Sequence, residues 1–308
     1  MAETSNGPQL HFFVGKGGVG KSTSSALTAL FMAAAGKNTL LVSMDPAHNQ
    51  RDLFETEFAE RPRTVRHGLA VKEIDTAYWI RTYLKQTREH LSKSYLYQSA
   101  FNLQDHFKVL QFSPGLEEYA LLLAFENVLA SAKDKDEIIF DMAPTALTLR
   151  FFSLPAITLT WLGELLKLRN EICHKKEIIS KIRIGTCELE SDRVRSKLQT
   201  LIAGHTRLRD LLLAESAWVH LVLNADRLSL AEALRIRTRM AEIGKPIHRV
   251  VINKCPGSRV PEAIAESFPS EEKAIQPRHE DGGLQGLATL EAFVDRHREA
   301  FEGLTSRR

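Results

Sequence analysis

The chain has 308 residues, of which 44% are hydrophobic and 26% charged, with 41 Lys plus Arg against 38 Asp plus Glu. That length supports one large domain or two small ones with a proper core, without disulfides or a structural metal. The composition excludes disordered and collagen-like chains, and a net charge of +3 is too small to imply a nucleic-acid partner.

The first nine residues and the closing Thr305-Ser306-Arg307-Arg308 are polar ends without apolar periodicity, and the N-terminus lacks the basic-then-apolar order of a signal peptide. Leu10–Val14 is the first strand, followed by a Gly-rich segment and a helix over Ser25–Ala35 that Gly36 closes. Further strands are predicted at Thr39–Met44, Leu69–Ile74, Glu137–Asp141, Trp218–Asn224 and Arg249–Asn253. Ile138-Ile139-Phe140 and Val250-Val251-Ile252 are apolar at consecutive positions, as parallel strands covered on both faces must be; a half-solvated strand would alternate. Helical periodicity fills roughly Ala77–Ala132 and Leu147–Ser216, and returns over Leu287–Phe301. The expected fold is α/β: one domain over 1–308, a mostly parallel sheet flanked by helices, with a helical subdomain from insertions at about 77–132 and 147–216.

Within the helical stretches, Leu116–Ala132 carries an apolar stripe wide enough to be buried on more than one side. It and the apolar Leu154–Leu168 can serve as core or as a cargo surface. Lys167–Arg209 holds eleven Lys or Arg against five Asp or Glu, read as a solvated face. The three cysteines, Cys173, Cys187 and Cys255, form no CxxC pair and have no zinc-finger histidines beside them, so a reducing compartment and no zinc site are expected. No uninterrupted run of 18 apolar residues occurs. The protein is expected in the cytoplasm.

Gly15-Lys16-Gly17-Gly18-Val19-Gly20-Lys21-Ser22 satisfies the GxxxxGK[ST] pattern between a predicted strand and helix. Glycines let successive backbone N–H groups converge on phosphate oxygens, and the helix opening at Lys21 adds the positive end of its dipole. Lys21 then reaches the β- and γ-phosphates, Ser22 is a direct Mg²⁺ ligand, and Thr23 reaches an inner phosphate. ATP and Mg²⁺ are the cofactors this predicts, on a P-loop nucleotide triphosphatase fold.

A rival uses the same glycines. Gly15, Gly17 and Gly20 also spell GxGxxG, and Asp45 ends the second strand, where a dinucleotide-binding oxidoreductase keeps its ribose-binding acid. Lys21-Ser22 has no role on a dinucleotide pyrophosphate, however, and Ile138-Ile139-Phe140-Asp141 is an apolar strand ending in an acid, suited to hold Mg²⁺ through a water.

With its second lysine, Lys16, the loop running from Gly15 to Thr23 resembles the deviant Walker A signature of dimeric ATPases. Three further segments extend the likeness: Val42 to Asn49 with its Asp45-Pro46-Ala47-His48-Asn49, Ser113 to Glu118, and Phe140 to Thr145 continuing through Thr148-Leu149-Arg150 to Leu154-Pro155. Together they resemble the arsenite-pump ATPase family, which includes the tail-anchored membrane protein targeting ATPases. The resemblance implies a homodimer in which Lys16 crosses to the partner's nucleotide as an arginine finger does. It makes Asp45 the switch I acid that orients the attacking water and touches the metal through water. Asp141, Ala143, Pro144 and Thr145 become a switch II that senses the γ-phosphate, and Asn253 a hydrogen-bond partner of adenine, with the loop Gln276–Gly283 closing over that base. The chain departs from the family pattern at Met44, Met142, Ala146 and Leu147, which puts the rate and coupling of hydrolysis in question.

The family moves either a trivalent metalloid for a membrane pump or the apolar transmembrane segment of a client, with a membrane pump or receptor as peripheral partner. Thiols for a metalloid are few, and the five methionines that would suit an adaptable groove lie outside both helical stretches. A partition or septum-positioning ATPase that binds DNA or membrane is the alternative. Leu287–Phe301 lacks the basic amphipathic character of a membrane anchor, and no nucleic-acid partner is expected.

Overall fold

The computed structural model describes residues 7–47, 49–94, 115–182, 192–255, 257–279 and 283–305. It divides into two compact units, Met1–Phe151 with Glu215–Arg308, and Phe152–Ala214. The first unit is built on an eight-stranded sheet. Its strands are β1 (Gln9–Val14), β2 (Thr39–Ser43), β3 (Arg63–Arg66), β4 (Leu69–Glu73), β5 (Glu137–Asp141), β6 (Ala217–Asn224), β7 (Arg249–Cys255) and β8 (Glu272–Pro277), in the order β3-β4-β2-β5-β1-β6-β7-β8. Every described pairing is parallel except β3 with β4.

The six predicted strands are all present, within two residues at their ends. The two extra strands sit at the sheet's edges, where one side has no partner strand. Their sequences, Arg-Thr-Val-Arg in β3 and Glu-Lys-Ala-Ile-Gln-Pro in β8, are too polar to read as apolar runs. Helix α1 (Lys21–Ala34) is buried along most of its length. On the sheet side it meets Phe13, Leu41, Ile139, Val222 and Val251. On its other side lie α9 (Leu287–Arg296) and α10 (Glu299–Thr305), with Phe31 and Phe301 stacked 5.9 Å apart. Between these elements run α2 (Asn49–Phe54), α3 (Thr76–Ser94), α4 (Leu116–Ser131), α5 (Thr145–Ile182), α6 (Arg193–Leu213), α7 (Arg227–Ile243) and α8 (Glu262–Ser267).

The stripe on α4 is core. Phe125 packs 6.0 Å from Phe12, 5.2 Å from Phe140 and 5.6 Å from Phe151, and all four rings are buried. Each such ring stabilises the fold by about 1.5–3 kcal/mol through apolar burial alone. Of the two uses open to the Leu116–Ala132 stripe, core is the one the fold makes of it. The second unit comprises α5 from Phe152 onward and α6, whose N-terminus Asp192 caps by accepting from the Arg195 amide. Arg169 on α5 grips the same carboxylate through Nε and Nη2 at 3.0 Å.

Polar groups are also buried in the sheet. His11 Nδ1 lies 2.9 Å from His220 Nε2, and His11 Nε2 lies 3.0 Å from Glu137 Oε2. Burial lowers the pKa of both imidazoles, against an opposing pull from Glu137 on His11. His248, beside Trp218, is lowered to about 4, first by desolvation and then by the Lys245 and Arg249 charges.

Candidate functional site

The strands around β1 end together. Register sets Asp141 of β5 beside Phe13 of β1 and Ser43 of β2, so the loops leaving β1, β2 and β5 emerge side by side. Such a crevice at the carboxyl ends of parallel strands is where doubly wound folds bind ligands. The loop from Gly15 to Gly20 needs glycine at two points for reasons of space. A Cβ at Gly15 would fall 2.4 Å from the Val222 carbonyl oxygen. At Gly20, φ is +95° and a Cβ would fall 2.1 Å from Asn253 Nδ2. Gly17 and Gly18 are exposed at the crown of the loop, with open space beside them, while Val19 is anchored in the core.

Gly20 is also the N-cap of α1 and offers no side-chain cap. The first-turn N–H groups of α1 thus remain open to an anion, with the helix dipole behind them. Lys21 is buried and its Nζ lies 3.5 Å from the Lys16 carbonyl oxygen, within the concavity of the loop. Lys16 is half-buried on the loop itself.

Behind the loop lies a buried polar cluster. Gln50 of α2 donates from Nε2 to Asp141 Oδ2 at 3.0 Å, to the Ser22 carbonyl at 3.1 Å and to Ser25 Oγ at 3.2 Å. Met44, at the end of β2, donates its amide to the Asp141 carbonyl at 2.9 Å. Asp45 is 7% exposed and its Oδ1 accepts from the Ala47 amide at 3.0 Å. Asp141 Oδ1, Gln50 Oε1 and Ser43 Oγ are buried with no hydrogen-bond partner. Burial raises the Asp141 carboxyl to about 6, against hydrogen bonds from Ser22 and Gln50 and the Lys21 charge, while Asp45 pushes the same way as burial. The unpartnered Asp141 Oδ1, with the Ser22 hydroxyl and the Asp45 carboxylate, is an all-oxygen donor set of the kind that fits Mg²⁺.

The segment after Asp141 turns at once into α5. Met142 and Ala143 are buried, and Thr148 Oγ1 donates to the Ala143 carbonyl at 2.5 Å. The Pro144 carbonyl accepts from the Leu147 and Thr148 amides. Met44 and Met142 therefore fill core space rather than face the ligand crevice. Two segments that carried the family resemblance meet here, since Arg150 Nη1 lies 2.9 Å from Glu118 Oε1. His48, Ser113 and Pro114 of the same motifs lie outside the described residues.

Asn253, at the end of β7, donates from Nδ2 to the Val19 carbonyl at 2.8 Å and accepts the Lys254 amide on Oδ1 at 2.9 Å. It thus clamps the loop that Gly20 leaves room for. Beside it opens a cavity of about 270 Å³, with apolar walls from Leu27, Leu53, Leu284 and Phe293 and polar ones from Thr23, Asn253 and Gln276. Within the predicted loop Gln276–Gly283, Gln276 and Pro277 close β8, and residues 280–282 lie outside the described residues.

A model of the anion-transporting ATPase family matches residues 9–281. The chain belongs to the anion-transporting ATPase family. It resembles a putative arsenical pump-driving ATPase of Chlorobaculum tepidum, 29% identical over 284 residues, which cover 90% of this chain and 68% of that one. A second such ATPase, of Aquifex aeolicus, is 26% identical over 88% of this chain and 86% of its own length. The ATPase get3 of Schizosaccharomyces japonicus is 30% identical over 82% and 78%. The anion-transporting ATPase described here is accordingly an ATP hydrolase with ATP as its nucleotide, on an α/β P-loop fold. The oxidoreductase and partition-type readings are not favoured.

One residue of the polar cluster behind the P-loop escaped the sequence reading. Gln50 lies just past Asn49, within reach of a motif search, but its role depends on Asp141, 91 positions away. Gln276 bonds Ser24 across 252 positions.

Proposed function

We propose that two copies of this ATPase close face to face on MgATP. In this reading Gly15, Gly17, Gly18, Val19, Gly20 and Lys21 cradle the phosphates, and Thr23 reaches an inner one. Lys16 acts on the partner's nucleotide, and Asp45 orients the attacking water. Ser22, Asp45 and Asp141 would hold Mg²⁺, which would supply charge neutralisation at the transferring phosphoryl group. Asp141, Ala143, Pro144 and Thr145 respond to the γ-phosphate, and the second N–H of the Asn253 amide serves the adenine. The whole of 1–308 works as one ATPase domain whose helical stretches at about 77–132 and 147–216 respond to closure. The working place is the cytoplasm, with peripheral contact to a membrane pump or receptor.

The cargo that fits best is an apolar segment of a membrane protein. One observation carries this: Ile157, Trp161, Leu165, Leu168 and Ile172 of α5 recur at three- and four-residue spacing and are all exposed, Trp161 at 69%. Their helix, over Thr145–Lys175, is apolar and long enough to cross a membrane by length and composition, yet only 22% of its most apolar window is buried. A metalloid cargo has less support. Cys255 is buried at the end of β7, Cys173 Sγ donates to Asp192 at 3.0 Å, and Cys187 lies outside the described residues. The test is ATPase stimulation by antimonite and by a solubilised transmembrane peptide, side by side, with a variant carrying serine at all three cysteines. Stimulation by the peptide alone supports the reading. Stimulation by antimonite that the cysteine variant loses replaces it with the metalloid reading.

A further inference from the structure

The exposed apolar stripe on α5 is lopsided in charge. Residues Phe152–Gly163, which carry Ile157 and Trp161, include no Asp, Glu, Lys or Arg, whereas Lys167–Arg209 holds eleven basic residues against five acidic ones. Ile157, Trp161, Leu165, Leu168 and Ile172 recur at helical spacing, and the next position on that face, three beyond Ile172, is the exposed Lys175. The start of α6 is fastened beside the same turn, because Asp192 accepts from Arg169 Nε at 3.0 Å and from Cys173 Sγ at 3.0 Å. Arg195 and Lys197 follow within about 8 Å of Asp192 along the α6 axis, and both are exposed. The side chains of Lys175, Arg195 and Lys197 make no hydrogen bond or ion pair among the described residues. Of the acids around them, Asp192 is taken by Arg169 and Glu164 by Lys167, which leaves Glu171 against these three cations.

From Ile157 to Ile172 the stripe spans about 22 Å of helix. A segment that crosses the hydrocarbon of a bilayer is about 30 Å long, so a bound one overruns the stripe, and an end that runs past Ile172 enters the cationic region. We propose that this hairpin selects its client by flanking charge: an apolar membrane segment flanked on one side by Asp or Glu is held in preference to one flanked by Lys or Arg, and lies with its acidic flank toward Lys175, Arg195 and Lys197. The proposal rests on the reading of the stripe as a client surface and adds to it the feature that chooses among clients. Apolar burial has no direction and supplies most of the affinity, whereas the exposed charges supply discrimination and orientation.

The test is equilibrium binding of solubilised fluorescent peptides to the full chain. The peptides share one apolar core of about 20 residues and carry three Asp, three Ser or three Lys at one terminus. At low salt the Asp-flanked peptide is expected to bind about three- to tenfold more tightly than the Lys-flanked one, with the Ser form between them. In about 1 M salt, where the screening length falls to about 3 Å, the three are expected to bind alike. Lys175→Glu combined with Arg195→Glu and Lys197→Glu is expected to reverse the order and leave basal ATP hydrolysis unchanged. Glutamine at the same three positions, which adds no repulsion, is expected to remove the preference. Equal binding of all three peptides to the wild type at low salt overturns the proposal, as does a preference that survives in the glutamine variant. Absence of binding by every peptide defeats the client reading itself, and the flank proposal falls with it; capture of the protein by phosphatidylserine vesicles in that case assigns the surface to anionic lipid.

Discussion

Gln50 holds Asp141 by a 3.0 Å hydrogen bond from its Nε2 to Oδ2 while the same nitrogen reaches the Ser22 carbonyl, so one amide ties α2 and the end of β5 to the P-loop. Replacing it with Leu, of similar size, removes all of these bonds and leaves the carboxylate oriented only from Ser22. The expected result is a fall in turnover of about 10- to 100-fold, with the Mg²⁺ concentration for half-maximal rate raised. Magnesium titration of the steady-state rate checks it, and an unchanged midpoint would show that Gln50 has only a packing role.

Lys16 and Lys21 occupy the same loop, and the proposed reading gives them different duties. Lys16→Ala is expected to leave ATP binding nearly intact while lowering single-turnover hydrolysis by about 10³-fold and weakening ATP-dependent dimer formation. Lys21→Ala is expected to lose binding as well. Sedimentation with a non-hydrolysable analogue, alongside the rate, separates the two. Unchanged turnover in the Lys16 variant rules out its action across the dimer.

The exposed stripe on α5 predicts a variant with selective loss. Trp161→Asp combined with Leu168→Asp places two charges where a client's apolar segment would lie. Because both positions are exposed, the change in stability is expected to stay within about 0.5 kcal/mol per site. Basal hydrolysis should persist while stimulation by a transmembrane peptide disappears. A doubly substituted protein that still responds to the peptide would move the cargo surface elsewhere.

The buried imidazoles set a pH dependence. His11, His220 and His248 all have pKa values lowered by burial, His248 to about 4, while the unfolded chain titrates them near the ordinary 6.5. Below that value the unfolded state binds more protons, so their contribution to stability, complete above about pH 6.5, is lost as pH falls toward 4. Asp141, raised to about 6, acts with the opposite sign between there and the unfolded value of 3.8. His205 and His297 are lowered by desolvation too, so the histidines outweigh this one raised carboxylate and leave a net loss on acidification. The thermal midpoint of the nucleotide-free protein should therefore drop between pH 7 and 5, and His248→Asn should make that drop shallower.

The P-loop's place between β1 and α1 was legible from residue order because the loop is made of contiguous backbone, and glycines at 15 and 20 with Lys21-Ser22 spell its pattern in one short stretch. The central strands were legible for a related reason, since burial on both faces writes itself as consecutive apolar residues such as Ile138-Ile139-Phe140. The edge strands β3 and β8 were not, because an edge is half-solvated and its polar residues look like loop.

What only the folded chain decided is which apolar stretch is core and which polar groups meet. Leu116–Ala132 and Leu154–Leu168 look alike as strings, yet Phe125 is sealed against Phe12 and Phe140 whereas Trp161 is left in solvent. Gln50 and Gln276 find their hydrogen-bond partners 91 and 252 positions away. Hydrogen bonds and burial act over a few ångströms of space, and residue order does not record that distance once the chain has folded back on itself.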